Sequence, residues 1–403
     1  MNCSLPHNNG TKNAQEGINA ISSLLIVLPP HASSGPIEPR TELLGLPLAS
    51  RKVLSAERAG FERVVTLPEE SIKTIVAQRI VVLSGDILPD SKWLHELLHM
   101  PVKPETMTFE HGIAAVIETS HSQKMFLLKP PSEDEAGDIF SIMSKIFDAA
   151  PRQLSENKWL NITPETTVSA AEDWLLSCLV KDTDGFMARL ISRPISLTLT
   201  KRLAATSVSA NTVTVISTLV GLLGAPFFLS SEPKLQVTGA LLFLAHSILD
   251  GCDGELARLR MRETRFGGTL DYWGDNLVHV AIFSCMAVGW SLKAESAWPL
   301  IAGGAAITGT LASAGFVFWR TMRHKKTPGP LFTSVAQASN SGFSKIANAL
   351  ARRDFVYLVV LLSVFGMAAW FLTLTAVGAP LFFLLLLLIA YQDTNLEKIG
   401  THG

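Results

Sequence analysis

The chain has 403 residues, 48% of them hydrophobic and 17% charged, with a mean hydropathy of +0.30. That is too apolar for an ordinary soluble protein, and the length predicts two or three domains. A formal net charge of -1 offers nothing to a nucleic-acid partner, and the four cysteines (Cys3, Cys178, Cys252, Cys285) have neither C-x-x-C spacing nor histidine companions, so they read as reduced and non-structural.

Residues 1–16 are polar and read as a frayed start. Ile21–Leu28 is short, follows no basic segment and ends in Pro29-Pro30, so it reads as a buried strand and not as a signal peptide. As far as Pro164 the pattern is soluble α/β. Apolar β-rich runs (Leu24–Leu28, Arg63–Leu67, Ile80–Leu83, Ile113–Ile117) alternate with helical stretches (Leu48–Ala59, Ser91–Leu98), which predicts βαβ units around a parallel sheet. The order of pieces resembles a sugar-phosphate nucleotidyltransferase domain: a first strand, a Gly/Pro/Ser loop (Pro29–Pro39), Gly45-Leu-Pro-Leu opening a helix, then Val82-Leu-Ser-Gly85-Asp86. The resemblance implies that Asp86 holds a metal ion. The first loop departs from that family's Gly-x-Gly-[Thr/Ser]-Arg and lacks the following lysine, with Arg40 as the nearest cation, so a degenerate, non-catalytic relative is expected. As a residue in its own right, Asp86 reads equally well as a turn or N-cap residue.

Glu172–Ala205 interleaves apolar spacing with Lys181, Arg189, Arg193, Lys201 and Arg202, which suits a basic amphipathic helix lying in anionic headgroups. Six membrane spans follow, near 211–229, 236–256, 272–292, 298–319, 355–375 and 377–392, the last two parted by a turn at Gly378-Ala379-Pro380. Leu259–Phe266 carries Arg260, Arg262 and Arg265, and Arg320–Asp354 is rich in Lys and Arg, whereas the alternate loops have almost no net positive charge. The positive-inside rule then places the N-terminal domain, the site described next and the C-terminus in the cytoplasm, with the protein in the cytoplasmic membrane. The expected architecture is an α/β soluble domain (1–170), a basic juxtamembrane linker (171–205) and an all-α six-helix transmembrane bundle (206–403).

The second and third spans are interrupted by carboxylates: Asp250, Asp253, Gly254, Ala257 and Arg258, then eight residues, then Gly267, Asp271 and Asp275. Positions three, four, seven and eight apart share a helix face, so Asp250, Asp253, Gly254 and Ala257 line one helix and Gly267, Asp271, Gly274 and Asp275 a second. If Leu259–Phe266 reverses the chain, the acidic faces meet. Four carboxylates that close cannot all stay ionised without cations between them, and oxygen ligands favour Mg²⁺ or Mn²⁺. Two such ions form a standard device for attacking phosphorus. Ionisable groups in spans normally mark function.

The pattern D-x2-D-G-x2-A-R-x8-G-x3-D-x3-D is similar to the signature of the CDP-alcohol phosphatidyltransferase family, and all eight fixed positions are present. The resemblance implies a six-helix membrane enzyme that transfers a phosphoryl-alcohol group from a CDP-alcohol to a second alcohol, releases CMP and uses two divalent cations. It makes Asp250, Asp253 and Asp271 metal ligands, and Asp275 the general base that also touches a metal. Gly254, Ala257 and Gly267 would shape the cytidine pocket. Arg258 belongs to the motif, although an arginine at a helix end also satisfies the dipole or snorkels. Arg262 and Arg265 are candidates for an acceptor phosphate or simply positive-inside charge. Asn211 and Thr214 bound the donor pocket or cap a helix, while His246 and His279 read as packing residues. The fused layout resembles proteins joining a cytidylyltransferase to this transferase, so CDP-inositol stands beside CDP-diacylglycerol as donor, with an alcohol or polyol phosphate as acceptor. A protein making its own CDP-polyol is one alternative. The resemblance also implies a membrane homodimer. An intramembrane prenyltransferase would need acidic motifs far apart in the chain. A cation transporter explains the aspartates but neither the glycines nor the soluble domain.

Overall fold

The computed structural model describes residues 20–30, 37–67, 76–119, 139–152, 158–180, 184–322 and 354–400. The polar start, most of the Pro29–Pro39 loop and the basic stretch 323–353 lie outside the described residues. The chain divides into two compact units, 1–41 with 48–167, and 42–47 with 168–403.

The first unit is built on a sheet with strand order β4-β1-β5-β8-β7-β9. The strands are β1 (Ala20–Val27), β4 (Arg63–Thr66), β5 (Val76–Leu83), β7 (Thr106–Glu110), β8 (Ala114–Glu118) and β9 (Asp148–Pro151), while the short strands β2 (Glu42–Leu43), β3 (Leu46–Pro47) and β6 (Ile87–Pro89) lie outside this sheet. The expected strands are present, but the sheet is mixed. β1 is parallel to β4 and β5, whereas β8 runs antiparallel to both β5 and β7. The reason is local: β7 and β8 are joined by a tight turn through Gly112 at φ +75°, and so short a connection fits only antiparallel neighbours. Side chains alternate across β1. Leu24 and Ile26 pack with Phe140, Met143 and Phe147 on and after α3 (Ile139–Ile146), while Leu25 and Val27 pack under α1 (Leu48–Ala59) and α2 (Ser91–His99). Both faces are covered, which is why β1 reads as an unbroken apolar run.

In the second unit, α4 (Val168–Ser177) and α5 (Arg193–Ala204) precede the apolar helices. These are α6 (Ala210–Gly224, prolonged by a short turn to Leu229), α7 (Pro233–Leu259), α8 (Arg265–Ala294), α9 (Trp298–Val317), α10 (Phe355–Val364) and α11 (Ala368–Gly400). Among the described residues, five helical stretches are long and apolar enough to cross a membrane, and α10 is a shorter apolar helix. The unit is that of an integral membrane protein. The sixth expected span needs correction: the chain does not turn at Gly378-Ala379-Pro380 but runs helically through Pro380. There α9 comes so close that a Cβ on Gly309 would lie 2.6 Å from Pro380 N. The break falls instead at Gly366, which takes φ +67° and closes α10 with bonds from Gly366 N–H to Ser363 O (3.0 Å) and from Met367 N–H to Leu362 O (2.9 Å). That pairing is the Schellman stop, which glycine makes cheaply because it has no Cβ.

The amphipathic stretch before the bundle turns its polar side inward. Ile195, and Leu190 just before α5, are exposed, whereas Ser196 and Thr200 are buried. They meet Glu255 of α7, which is wholly buried. Its Oε1 accepts from Arg193 Nη1 and from Ser196 Oγ (2.8 Å), and its Oε2 from Thr200 Oγ1 (2.7 Å). Arg193 also forks onto Asp184, at 2.7 and 2.9 Å. Although burial pulls the other way, the Asp184 hydrogen bonds and the Glu255 charge raise the Arg193 guanidinium above its usual pKa. Truncating one partner of a buried pair strands the other charge, at a cost of about 3–5 kcal/mol, while removing both charges costs far less. Glu255→Ala should therefore lower the thermal unfolding midpoint of the detergent-solubilised protein strongly. The double substitution Arg193→Met with Glu255→Met should recover much of that loss, and additive losses in this cycle would refute the pairing.

Candidate active site

The turn between α7 and α8 places the motif. α7 ends at Leu259, Met261 takes a left-handed φ of +53°, and Thr264 caps α8 by accepting from Gly267 N–H at 3.0 Å. The chain reverses as the sequence predicts, and the acidic faces meet. Ligand oxygens of Asp250, Asp253 and Asp271 lie within 4.8 Å of one another. Ligand atoms of His246, Asp250 and Asp275 form a second such group within the same limit. Asp250 belongs to both. Asp250 and Asp253 are 5% and 3% exposed, so these carboxylates sit largely out of water. An oxygen-rich cluster of this size suits a hard divalent cation.

α6 packs against both arms and supplies polar partners. Thr214 Oγ1 donates to Asp253 Oδ2, and Asp253 Oδ1 also accepts from Gly254 N–H. The cap of α6 is Ser209, which accepts from Thr212 N–H at 3.1 Å, so neither Asn211 nor Thr214 has that role. Asn211 instead lies over α8: a Cβ on Gly267 would stand 2.6 Å from Asn211 Oδ1. Two turns further along, a Cβ on Gly274 would stand 2.6 Å from Thr218 Oγ1. Gly254 differs, for the only atom near its Cβ position is Arg258 Nη1 at 3.3 Å. The Arg258 guanidinium thus lies over Gly254, and its buried Nε has no hydrogen-bond partner among the described residues. Ala257 is half-buried on the same helix, while Arg262 and Arg265 are exposed beyond it. Arg260 serves the fold instead. Its guanidinium bonds the carbonyls of Val208, Thr206 and Leu203, the last at 3.1 Å, which ties down the chain between α5 and α6.

Sequence reasoning set His246 aside as a packing residue, yet the fold seats it in the cluster. It is fully buried, with Nδ1 2.9 Å from Ser217 O and Nε2 3.3 Å from Asp275 Oδ1. One signal was available: His246 precedes Asp250 by one helical turn, on the motif face. His279 packs in a ring cluster with Phe243, Phe283 and Phe355.

In the first unit Asp86 sits in the turn Ser84–Ile87, closed by Ile87 N–H to Ser84 O at 3.2 Å, while α2 starts later behind Asp90. The turn reading holds and the N-cap reading does not. Asp86, Lys52 and Gly85 line a cavity of ≈ 690 Å³. Gly85 has no room for a side chain, since its Cβ would stand 2.3 Å from Pro30 N. Burial lowers the Lys52 ammonium from 10.5 to about 8, with the Asp86 charge opposing, and its Nζ donates to Gly85 O. Among the described residues both groups of metal-type ligands lie on α7 and α8, and Asp86 belongs to neither. Cys178, Cys252 and Cys285 stand as free cysteines, and Cys3 lies outside the described residues.

Residues 207–381 match the family model described as CDP-alcohol phosphatidyltransferase. That segment is similar to this family. The chain is also similar to proteins named bifunctional IPC transferase and DIPP synthase. The one from Rubrobacter xylanophilus is 34% identical over 158 residues, covering 38% of this chain and 35% of the relative. The one from Archaeoglobus fulgidus is 33% identical over 153 residues, covering 38% and 30%. The chain thus spans about a third of the length of these relatives. Among solved structures, Mycobacterium tuberculosis phosphatidylinositol phosphate synthase with CDP-DAG bound aligns at 19% identity and a TM-score of 0.33, covering 47% of this chain and 92% of that one. The same enzyme in complex with manganese and citrate aligns at 21% identity and a TM-score of 0.31, covering 49% and 88%.

Two outcomes separate the roles of the site's small residues. Gly254→Leu should keep its thermal midpoint while losing cytidine-nucleotide binding, because only the movable Arg258 end is in the way. Gly267→Leu should lower the midpoint, because Asn211 and the α8 cap have no space to give. Nucleotide binding unchanged in Gly254→Leu would remove Gly254 from the pocket. In the first unit, acylation of the Lys52 amine, followed by mass spectrometry, should rise with pH through a midpoint near 8. The free amine reacts and the ammonium does not, so Asp86→Asn, which removes a charge favouring the ammonium, should move that midpoint lower.

Proposed function

We propose that the protein transfers a phosphoryl-alcohol group from a CDP-alcohol to an acceptor hydroxyl and releases CMP. The observation that carries this reading is the meeting of Asp250 and Asp253 on α7 with Asp271 on α8, in a segment that matches the family model. Asp250, Asp253, Asp271 and Asp275 would hold divalent cations, Mg²⁺ or Mn²⁺, two of them in the full reading. When bound, such ions supply charge stabilisation at the phosphoryl and leaving oxygens.

The chain's own residues do the rest. Gly254 and Ala257 leave the α7 backbone open for the cytidine end of the donor, with Asn211 and Thr214 as its far wall. The Arg258 guanidinium is placed for the diphosphate, where a fork of N–H donors matches phosphate oxygens. Asp275 accepts the acceptor hydroxyl's proton as that oxygen bonds to the phosphorus distal to cytidine. The bond from that phosphorus to the CMP oxygen breaks, and CMP departs with the electron pair. Arg262 and Arg265, exposed beside the α7–α8 turn, suit a phosphate on the acceptor. By the charge of its loops the site faces the cytoplasm, in the inner membrane. Lipid covers the exposed apolar faces of the bundle, and a homodimer through these helices belongs to the same reading.

Two donors fit. CDP-diacylglycerol would extend acyl chains along the bundle, whereas CDP-inositol or a similar polyol donor would enter from water. The relatives named above as bifunctional favour the polyol branch. A first unit that makes the donor itself is a further arm of the reading, with the Lys52–Asp86 cavity as its place. Purified full-length protein with Mg²⁺ or Mn²⁺ should release CMP from one donor, given a pool of polyols and polyol phosphates. The Asp275→Asn variant should lose that release by about a hundredfold or more. Cation flux through liposomes with no CMP from either donor would replace the transferase by a transporter.

A further inference from the structure

The two groups of metal-type ligands are chemically unlike. Asp250, Asp253 and Asp271 offer oxygen alone, whereas the group one helical turn further from the α7–α8 turn is His246, Asp250 and Asp275, which adds an imidazole. Three features of His246 bear on what that nitrogen does. Ser217 O is a carbonyl and can only accept, so the 2.9 Å contact puts a proton on Nδ1. In the neutral ring Nε2 then carries a lone pair, and it faces Asp275 Oδ1 at 3.3 Å. A positive centre between the two closes this contact, either a proton, which makes an imidazolium–carboxylate pair, or a cation that both atoms ligate. Ligands bound at about 2.1 Å and roughly at right angles lie about 3 Å apart, so one ion satisfies both atoms. A ring nitrogen that donates to a backbone carbonyl while the other faces carboxylates is the usual arrangement of a metal-bound histidine.

The packing fixes this orientation. The imidazole is fully buried and lies nearly parallel to Phe243, with ring centroids 6.2 Å apart and 12° between planes. Its room on the α6 side comes from Gly221, where a Cβ would stand 3.0 Å from His246 Cγ. Mere filling of a gap between helices would be done at less cost by leucine or phenylalanine, because an imidazole buried here must have both nitrogens satisfied.

We propose that His246 Nε2 is a ligand of the second of two cation sites, the one further from the α7–α8 turn, sharing that ion with Asp250 and Asp275. The inference rests on the cation-binding role proposed above. The pair of sites is then unequal: the all-oxygen site takes Mg²⁺ readily, while the nitrogen-containing site favours Mn²⁺, in line with the greater affinity of softer ions for imidazole. His246 also positions Asp275, the proposed base, through its contact with Oδ1.

Pulsed electron paramagnetic resonance of Mn²⁺ tests this without turnover. Tag-free full-length protein in detergent is given one and then two equivalents of Mn²⁺. The expected spectrum carries a ¹⁴N coupling from a directly bound imidazole, replaced by ¹⁵N frequencies when the histidines are isotopically labelled. His246→Gln should lose the coupling and weaken Mn²⁺ binding by about tenfold or more. If that variant does not fold, His279→Gln, which alters the only histidine of α8, must keep the coupling. Mn²⁺ bound with oxygen ligands alone at both loadings would overturn this inference and leave the transferase reading standing. A coupling that persists in His246→Gln, or is lost in His279→Gln, would overturn it too. No Mn²⁺ binding at all would remove both readings.

Discussion

Carboxylates held within a few ångströms of each other repel, the more so where they are buried, and the C-terminal unit is arranged around that cost. Asp250 and Asp253 reach the cluster from α7, Asp271 and Asp275 from α8, and the groups share Asp250. In a low-dielectric setting such a cluster persists only with positive charge or hydrogen-bond donors close by. The donors in view are Thr214 Oγ1 and the Gly254 amide on Asp253. Beside them, His246 Nε2 lies 3.3 Å from Asp275 Oδ1, and the two groups of ligand atoms are of the size that suits a divalent cation.

Holding two acidic helices in register against their own repulsion falls to their neighbours. α6 enters along glycines: Gly267 and Gly274 admit Asn211 and Thr218, and Gly221 of α6 itself admits His246. On the far side of α7, Glu255 is locked to α5 by Arg193, Ser196 and Thr200. The motif helix is thus gripped from both sides, and its charged residues divide by face. Those toward α8 are left for the ligand, and the one toward α5 is spent on docking.

The N-terminal unit is a separate case. Its sheet and helices follow the expected order, but its cavity pairs Lys52 with Asp86, and Pro29-Pro30 press on Gly85. A glycine-rich phosphate cradle works by turning backbone N–H groups toward the ligand, and proline has none to turn. The cation in this cavity comes from the face of α1 and not from the loop, a difference that no motif comparison along the chain would register, because Lys52 lies well past the loop.

Much of the site was legible in the sequence because helical periodicity is a local rule. Residues three and four apart share a face whatever surrounds them, so Asp250 with Asp253 and Asp271 with Asp275 were determined by spacing alone. The same holds for the apolar helices and for the alternating faces of β1. What only the tertiary structure decided depends on contacts between residues far apart in the chain. Asn211 over Gly267, Glu255 beneath α5 and His246 beside Asp275 are pairings across elements, and no window of sequence contains both partners. The last turn of the bundle shows the limit most plainly. Proline at 380 read as the break and glycine at 366 did not. A helix packed along its length against α9 tolerates the proline, whereas the Gly366 stop needed only a free left-handed conformation and two carbonyls to satisfy.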